Sequence, residues 1–142
     1  MLQRTWSRLL HAFVRKHKLG RVFTAPFDVA FSAWDVTEPD VVFISRARLN
    51  ILTKDNARGA PDLAVEGLSP GTAQMDRQVK FKLYEKYGVR EYWIVDPDDE
   101  LIEVFVLHAN GYEMLDRLTR GDAIRSEVLG GFACAVEEIF SV

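Results

Sequence analysis

The chain has little of what most small catalytic or secreted proteins advertise. Cys134 is its only cysteine among 142 residues. An intramolecular disulfide is therefore impossible, a reducing cytoplasm is the expected compartment, and the thiol reads as a small core side chain. No apolar run is long enough to cross a bilayer, so no membrane partner is expected. The basic N-terminal stretch has no uninterrupted apolar segment and makes a poor signal peptide. The three histidines, His11, His17 and His108, lack metal-ligand spacing and read as surface or packing residues. Ser69 has neither a Gly-x-Ser-x-Gly setting nor a nearby His/Asp partner, which argues against a serine nucleophile. There is no internal repeat and no low-complexity segment.

Acidic residues are missing from positions 1–21, which hold six Lys/Arg. All 21 Asp/Glu lie beyond, and the formal net charge is −3. That balance disfavours a non-specific nucleic-acid coat but leaves open a nuclease, where local charge matters more than the sum. The basic stretch reads as the solvated face of a helix: Trp6, Leu9, Leu10, Phe13 and Val14 recur at helical spacing and end near Gly20.

The remaining pattern predicts strands at 22–31, bent at Pro26, and at 39–45, antiparallel to the first. It gives a loop over 46–58 and a third strand at 62–68. Ser69-Pro70-Gly71-Thr72 offers N-cap chemistry for a helix over 73–87. Met75, Val79, Leu83 and Tyr87 form that helix's apolar stripe, and Gly88 stops it. Strands follow at 89–95, 101–107 and 112–118, the last after the Asn110-Gly111 turn signal. The apolar tail at 128–140 closes as a strand or helical turn. The fold class is α/β, with one domain over 1–142 and a helix on each face of a sheet.

The chemistry sits on two acid-bearing apolar runs. Asp40 opens Val41-Val42-Phe43-Ile44, and Asp62 and Glu66 belong to Asp62-Leu63-Ala64-Val65-Glu66-Gly67-Leu68. Alternation puts Asp62, Ala64, Glu66 and Leu68 on one strand face, with Leu63 and Val65 on the other. A carboxylate in such a run needs a cation, a hydrogen-bond donor or a metal. Asp40, Glu66 and Lys80, with the Gly67 carbonyl as a further oxygen ligand, have the hard-ligand chemistry of a Mg²⁺ site for phosphodiester cleavage. A lysine there would also depress the carboxylate pKa values. The competing reading makes Asp40 and Asp62 turn residues after proline and pairs Glu66 with a lysine. Asp76 stands four residues before Lys80, where it orients that lysine. Arg46, Arg48, Lys54 and Arg58 are either phosphate contacts or a solvated loop. Tyr92 and Trp93 read as core rather than base-stacking residues.

The run PDLAVEGLSPGTAQMDRQVKFKLYEKYGVREYWIVDP resembles the signature of the Uma-type restriction endonuclease family, within the PD-(D/E)XK nuclease superfamily. The matching features are Pro61-Asp62, Glu66, Ser69-Pro70, Asp76 with Lys80, Tyr84, Gly88-Val89 and Glu91-Tyr92-Trp93 through Asp96-Pro97. Upstream, Ala25-Pro26-Phe27-Asp28-Val29 and Glu38-Pro39-Asp40 resemble it too, as do Gly130-Gly131-Phe132 and Ile139-Phe140. The resemblance implies a restriction-endonuclease-like core, a mixed central sheet flanked by helices. It implies DNA as partner, Mg²⁺ as cofactor with Mn²⁺ as a substitute, and room for a homodimer. It assigns Asp40 and Glu66 as catalytic metal ligands. The superfamily lysine position is occupied by Leu68, and the role moves to Lys80 on the adjacent helix; Asp62 and Lys82 are secondary candidates. Relative to such proteins the chain is short at its N-terminus and has Gly67 where a bulky apolar residue is usual.

Overall fold

The computed structural model describes residues 2–68 and 73–140, without the side chains of residues 2, 3 and 73–76. A first helix, α1 (Leu2–His17), leads into β1 (Gly20–Thr24), β2 (Asp28–Ala30), β3 (Val36–Thr37) and β4 (Val41–Ser45). A 3₁₀ segment (Arg46–Ile51), β5 (Asn56–Arg58) and β6 (Leu63–Gly67) precede the second helix, α2 (Ala73–Tyr87). Then come β7 (Glu91–Asp96), β8 (Leu101–His108), β9 (Gly111–Leu118), β10 (Ala123–Arg125), β11 (Ala133–Ala135) and α3 (Val136–Phe140).

Six strands form the central sheet in the order β1-β4-β6-β7-β8-β9. Only β6 and β7 are parallel, because α2 carries the chain back between them. Alternation separates the two faces. Val41, Phe43, Leu63, Val65, Trp93, Val95, Ile102 and Val104 pack against Trp6, Leu10 and Val14 of α1 and Val136 and Ile139 of α3. Val42, Ala64, Tyr92, Ile94 and Phe105 pack on the other face with Tyr84 of α2. The expected α/β sheet with a helix on each face is what forms. Among the described residues no helix is long and apolar enough to cross a membrane.

Several local expectations need correction. The strand expected over 22–31 is two strands in different sheets. A cis Ala25–Pro26 bond lies between them, and β2 pairs with β3 and β5 in a separate three-stranded sheet. The segment 46–58 is not a plain loop. Its first half is the 3₁₀ turn and its second is β5, parallel to β2, an arrangement that only tertiary pairing can create. Helix α1 ends at His17, and Lys18, not Gly20, takes the left-handed conformation (φ 54°). Gly88 does stop α2, at φ 84°, where its N–H bonds to the Tyr84 carbonyl. The tail forms both of its alternatives, β11 and then α3. The N-cap expected from 69–72 lies outside the described residues.

The apolar stripe assigned to α2 is right only in part: Leu83 packs against the core and Tyr87 is half-buried on Phe31, while the Met75 side chain lies outside the described residues. Val79 is 59% exposed, and the inward face is Arg77, Lys80, Phe81 and Tyr84, spaced three and four apart. That face is half polar because the sheet beneath it carries buried carboxylates. Helical hydrophobic periodicity alone therefore misses the polar half of the inward face.

Candidate active site

Glu66 occupies the C-terminal end of β6 and is 5% exposed. Its carboxylate gathers three donors. Lys80 Nζ lies 3.0 Å from Oε1, Tyr84 donates its hydroxyl to Oε1 at 3.2 Å, and Tyr92 donates to Oε2 at 2.8 Å. Lys80 and Tyr84 are one turn apart on α2, so both reach the same oxygen. Tyr92 comes from β7, where its row pairs with Ala64, on the face that also holds Glu66. Tyr84 also bonds to Thr37 Oγ1 at 3.2 Å, tying the small sheet to the site.

Asp40 stands one residue before β4. The β4–β6 register pairs Val41 with Val65, so the next position pairs Asp40 with Glu66. Asp40 Oδ2 accepts the Gly67 N–H at 2.7 Å, and its charge acts on Glu66. Asp40, Glu66 and Lys80 thus meet in one place.

The other sequence candidates do not join them. Asp62 is completely buried at the opposite end of β6. It accepts the Ser45 N–H at 2.6 Å and pairs with Arg48 and Arg90 at 3.3 and 3.8 Å. It thereby fastens the start of the 3₁₀ segment to the sheet. Lys82 is exposed. Of the four basic residues in 46–58, Arg48 is spent on Asp62, while Arg46, Lys54 and Arg58 are exposed. The side chain of Asp76 lies outside the described residues.

Burial raises the Glu66 pKa above its usual 4.5. Lys80 and the tyrosine hydrogen bond pull it down without overcoming desolvation, and Asp40 adds to the rise. The lysine does depress the Glu66 pKa as expected, but the net shift is upward because burial outweighs it. Burial and the Glu66 charge push both tyrosine hydroxyls strongly up, so they remain protonated donors at neutral pH.

A second charged group continues the same row. Glu66 pairs with Ile94, Ile94 with Glu103, and Glu103 with Arg117 across β6, β7, β8 and β9. Glu103 is 6% exposed, is bonded by Arg77 of α2, and has Arg117 Nε at 3.8 Å. Sequence reasoning missed Arg77, Glu103, Thr37 and the hydroxyl roles of Tyr84 and Tyr92. A usable signal existed for Glu103: a lone carboxylate between Ile102 and Val104 in an otherwise apolar strand.

The donor chemistry suits a small hard cation. Two carboxylates and the Gly67 carbonyl are oxygen ligands, and Mg²⁺ uses few protein ligands beside water and phosphate. A carboxylate accepts about four hydrogen bonds, so three donors on Glu66 leave Oε2 a direction open. Among the described residues, no group of three His, Cys, Asp or Glu is placed to hold a metal by itself.

The family model described as "Uma2: Putative restriction endonuclease" matches residues 2–137. The chain belongs to the Uma2 family. A crystal structure described as "a putative nuclease belonging to DUF820", from Anabaena variabilis ATCC 29413, has the same fold, with a TM-score of 0.79 at 19% identity. The match covers 99% of this chain and 78% of that one. No curated protein matches the sequence. This Uma2 chain therefore carries its buried acid–lysine group on a mixed sheet of the fold seen in that crystal structure.

Proposed function

We propose that this Uma2 protein is a Mg²⁺-dependent endonuclease that cleaves DNA phosphodiester bonds. The observation that carries this reading is the convergence of Asp40, Glu66 and Lys80 at the end of β6. Asp40, Glu66 and the Gly67 carbonyl would hold the metal. When bound, Mg²⁺ polarises the phosphate and offsets charge on the leaving oxygen. Lys80 presents its ammonium to the incoming phosphate and orients the attacking water. Tyr84 and Tyr92 fix the Glu66 rotamer through both oxygens, and the Asp40–Gly67 bond fixes Asp40 against β6. The direct test is nicking of supercoiled DNA by purified protein in Mg²⁺ or Mn²⁺, with activity absent in EDTA.

A second reading rests on the protein donors that already crowd Glu66, three of them on its two oxygens. On that view the fold is a catalytically degenerate nuclease used for binding or assembly. Wild-type protein that binds Mg²⁺ but never cuts would favour it.

Metal binding has a distinctive pH dependence. The folded-state pKa of Glu66 is above 4.5, so the folded protein holds this proton more tightly than the unfolded chain. Its contribution to stability falls as pH rises from about 4.5 through the raised value, then levels off. A cation binds the ionised form and reverses that loss. Saturating Mg²⁺ is expected to raise the melting temperature more at pH 8 than at pH 5. At a hundredfold excess over Kd the gain is about 2.7 kcal/mol. Glu66→Gln should remove the metal response. An equal Mg²⁺ effect at both pH values would count against Glu66 as a ligand.

A further inference from the structure

Trp34 is 92% exposed, whereas Trp6 and Trp93 are 2% and 0% exposed and pack against each other at 5.5 Å. A fully solvated indole gives up the burial that large apolar side chains ordinarily gain. The turn that presents it is well tied. Ser32 Oγ accepts the N–H groups of Trp34 and Asp35, the Phe31 N–H bonds to the Asp35 carbonyl, and Tyr87 donates to Asp35 Oδ2 at 2.6 Å. Phe31 stacks on Tyr87 behind it at 4.9 Å. The indole is held outward on a firm base.

Beside this turn lies a cleft of about 530 Å³ lined by Phe31, Ala33, Val36, Asn56 and Arg58 among others. Arg58 is exposed and has no ion-pair partner among the described residues. It pairs in register with Ala30, at the end of the small sheet nearest the turn, while Asp28 stands at the other end opposite Asn56. The same strip of chain runs on from Trp34 to Thr37, which bonds Tyr84 beside Glu66. At about 3.3 Å per extended residue, Trp34 and Thr37 are at most roughly 10 Å of chain apart.

We infer that Trp34 is a stacking platform for an unpaired base of a DNA strand, with Arg58 holding a neighbouring phosphate. The inference rests on the proposed nuclease reading for its choice of ligand. An aromatic face takes any base, and a guanidinium beside it supplies the phosphate contact, so the pair binds single strands without reading sequence. Its place in the turn before β3 gives a DNA strand entering the Glu66 site a second hold outside it.

Because the other two tryptophans are buried, acrylamide quenching of intrinsic fluorescence reports chiefly on Trp34. In EDTA, a twelve-residue oligothymidine should shield Trp34 from acrylamide. Trp34→Ala should bind that strand about tenfold more weakly, with Trp34→Phe in between. Arg58→Gln should weaken binding and flatten its salt dependence. Unchanged quenching with DNA bound, or equal affinity of wild type and Trp34→Ala, overturns the inference. So does shielding that grows with protein concentration without DNA, which would assign the indole to a second copy of the chain. A failed nicking assay with Trp34 shielding intact would reject the enzyme and keep the platform; nicking with no shielding would do the reverse.

Discussion

Lys80→Met is expected to slow Mg²⁺-dependent nicking of supercoiled DNA by about 10²–10³-fold, the usual loss when one charge-stabilising donor is removed from a reacting centre. Methionine keeps most of the apolar stem of lysine and loses only the ammonium that sits 3.0 Å from Glu66. Desolvation already raises the Glu66 pKa, and Lys80 is the foremost influence opposing it. The acidic limb of any residual activity should therefore move to higher pH. Asp40→Asn tests the other side. The amide oxygen keeps the bond to Gly67 N, and the lost charge relieves repulsion on Glu66, so the fold should survive while nicking falls by a similar factor. Wild-type rates in Asp40→Asn would move the reaction to another centre or to a contaminant. A Lys80→Met protein with unaltered rate and pH profile would leave the lysine only a structural role.

The second large effect is on stability and lies on the opposite face of the sheet. Glu91 is fully buried at the start of β7. Its Oε1 accepts the N–H groups of Glu127 and Val128 at 2.9 and 3.0 Å, and its Oε2 accepts the Trp93 indole N–H at 2.6 Å. Burial raises its pKa despite these donors. Glu91→Ala leaves three donors without an acceptor, at about 1–3 kcal/mol each where water cannot reach. We expect a loss of about 4 kcal/mol in urea unfolding, a large share of a typical domain's stability. Glu91→Gln should cost less, since its oxygen can still serve the two backbone groups. A loss below about 1 kcal/mol for Glu91→Ala would mean that water replaces the carboxylate and that the 127–128 segment is held by other contacts.

The sheet was legible where burial is regular. Strands β4, β6, β7 and β8 are short, mostly apolar runs punctuated by turn residues, and β9 was placed by the Asn110-Gly111 signal at the β8–β9 turn. What escaped depends on distant partners. Strand β5 has three residues, Asn56, Ala57 and Arg58, with no strand character of their own, and exists because β2 lies alongside. The inward face of α2 looked like solvent because Arg77 and Lys80 are charged, yet each answers a buried glutamate. At the site, Asp40 and Glu66 were readable as carboxylates out of place in apolar runs, and Lys80 through the resemblance to the Uma-type family. Tyr84 and Tyr92 were not, because an aromatic residue in a core pattern gives no sign that its hydroxyl has a partner.

Alternation along β6 also bears on how this protein can change. Leu63 and Val65 belong to one packed layer, while Ala64 and Glu66 face the other. Substitutions that refill the α1 layer at Val41, Phe43, Leu63 or Val65 have no direct contact to make with Glu66. Volume-conserving exchanges in such a layer usually cost little. Apart from Glu91 and the groups it binds, the α1 side is therefore open to drift or to deliberate thermostabilisation, while on the α2 side Arg77 and Lys80, each answering a buried glutamate, tolerate exchange only with their partners. A library confined to the first layer should yield many folded variants with unaltered metal response, and one spread over the second should yield few.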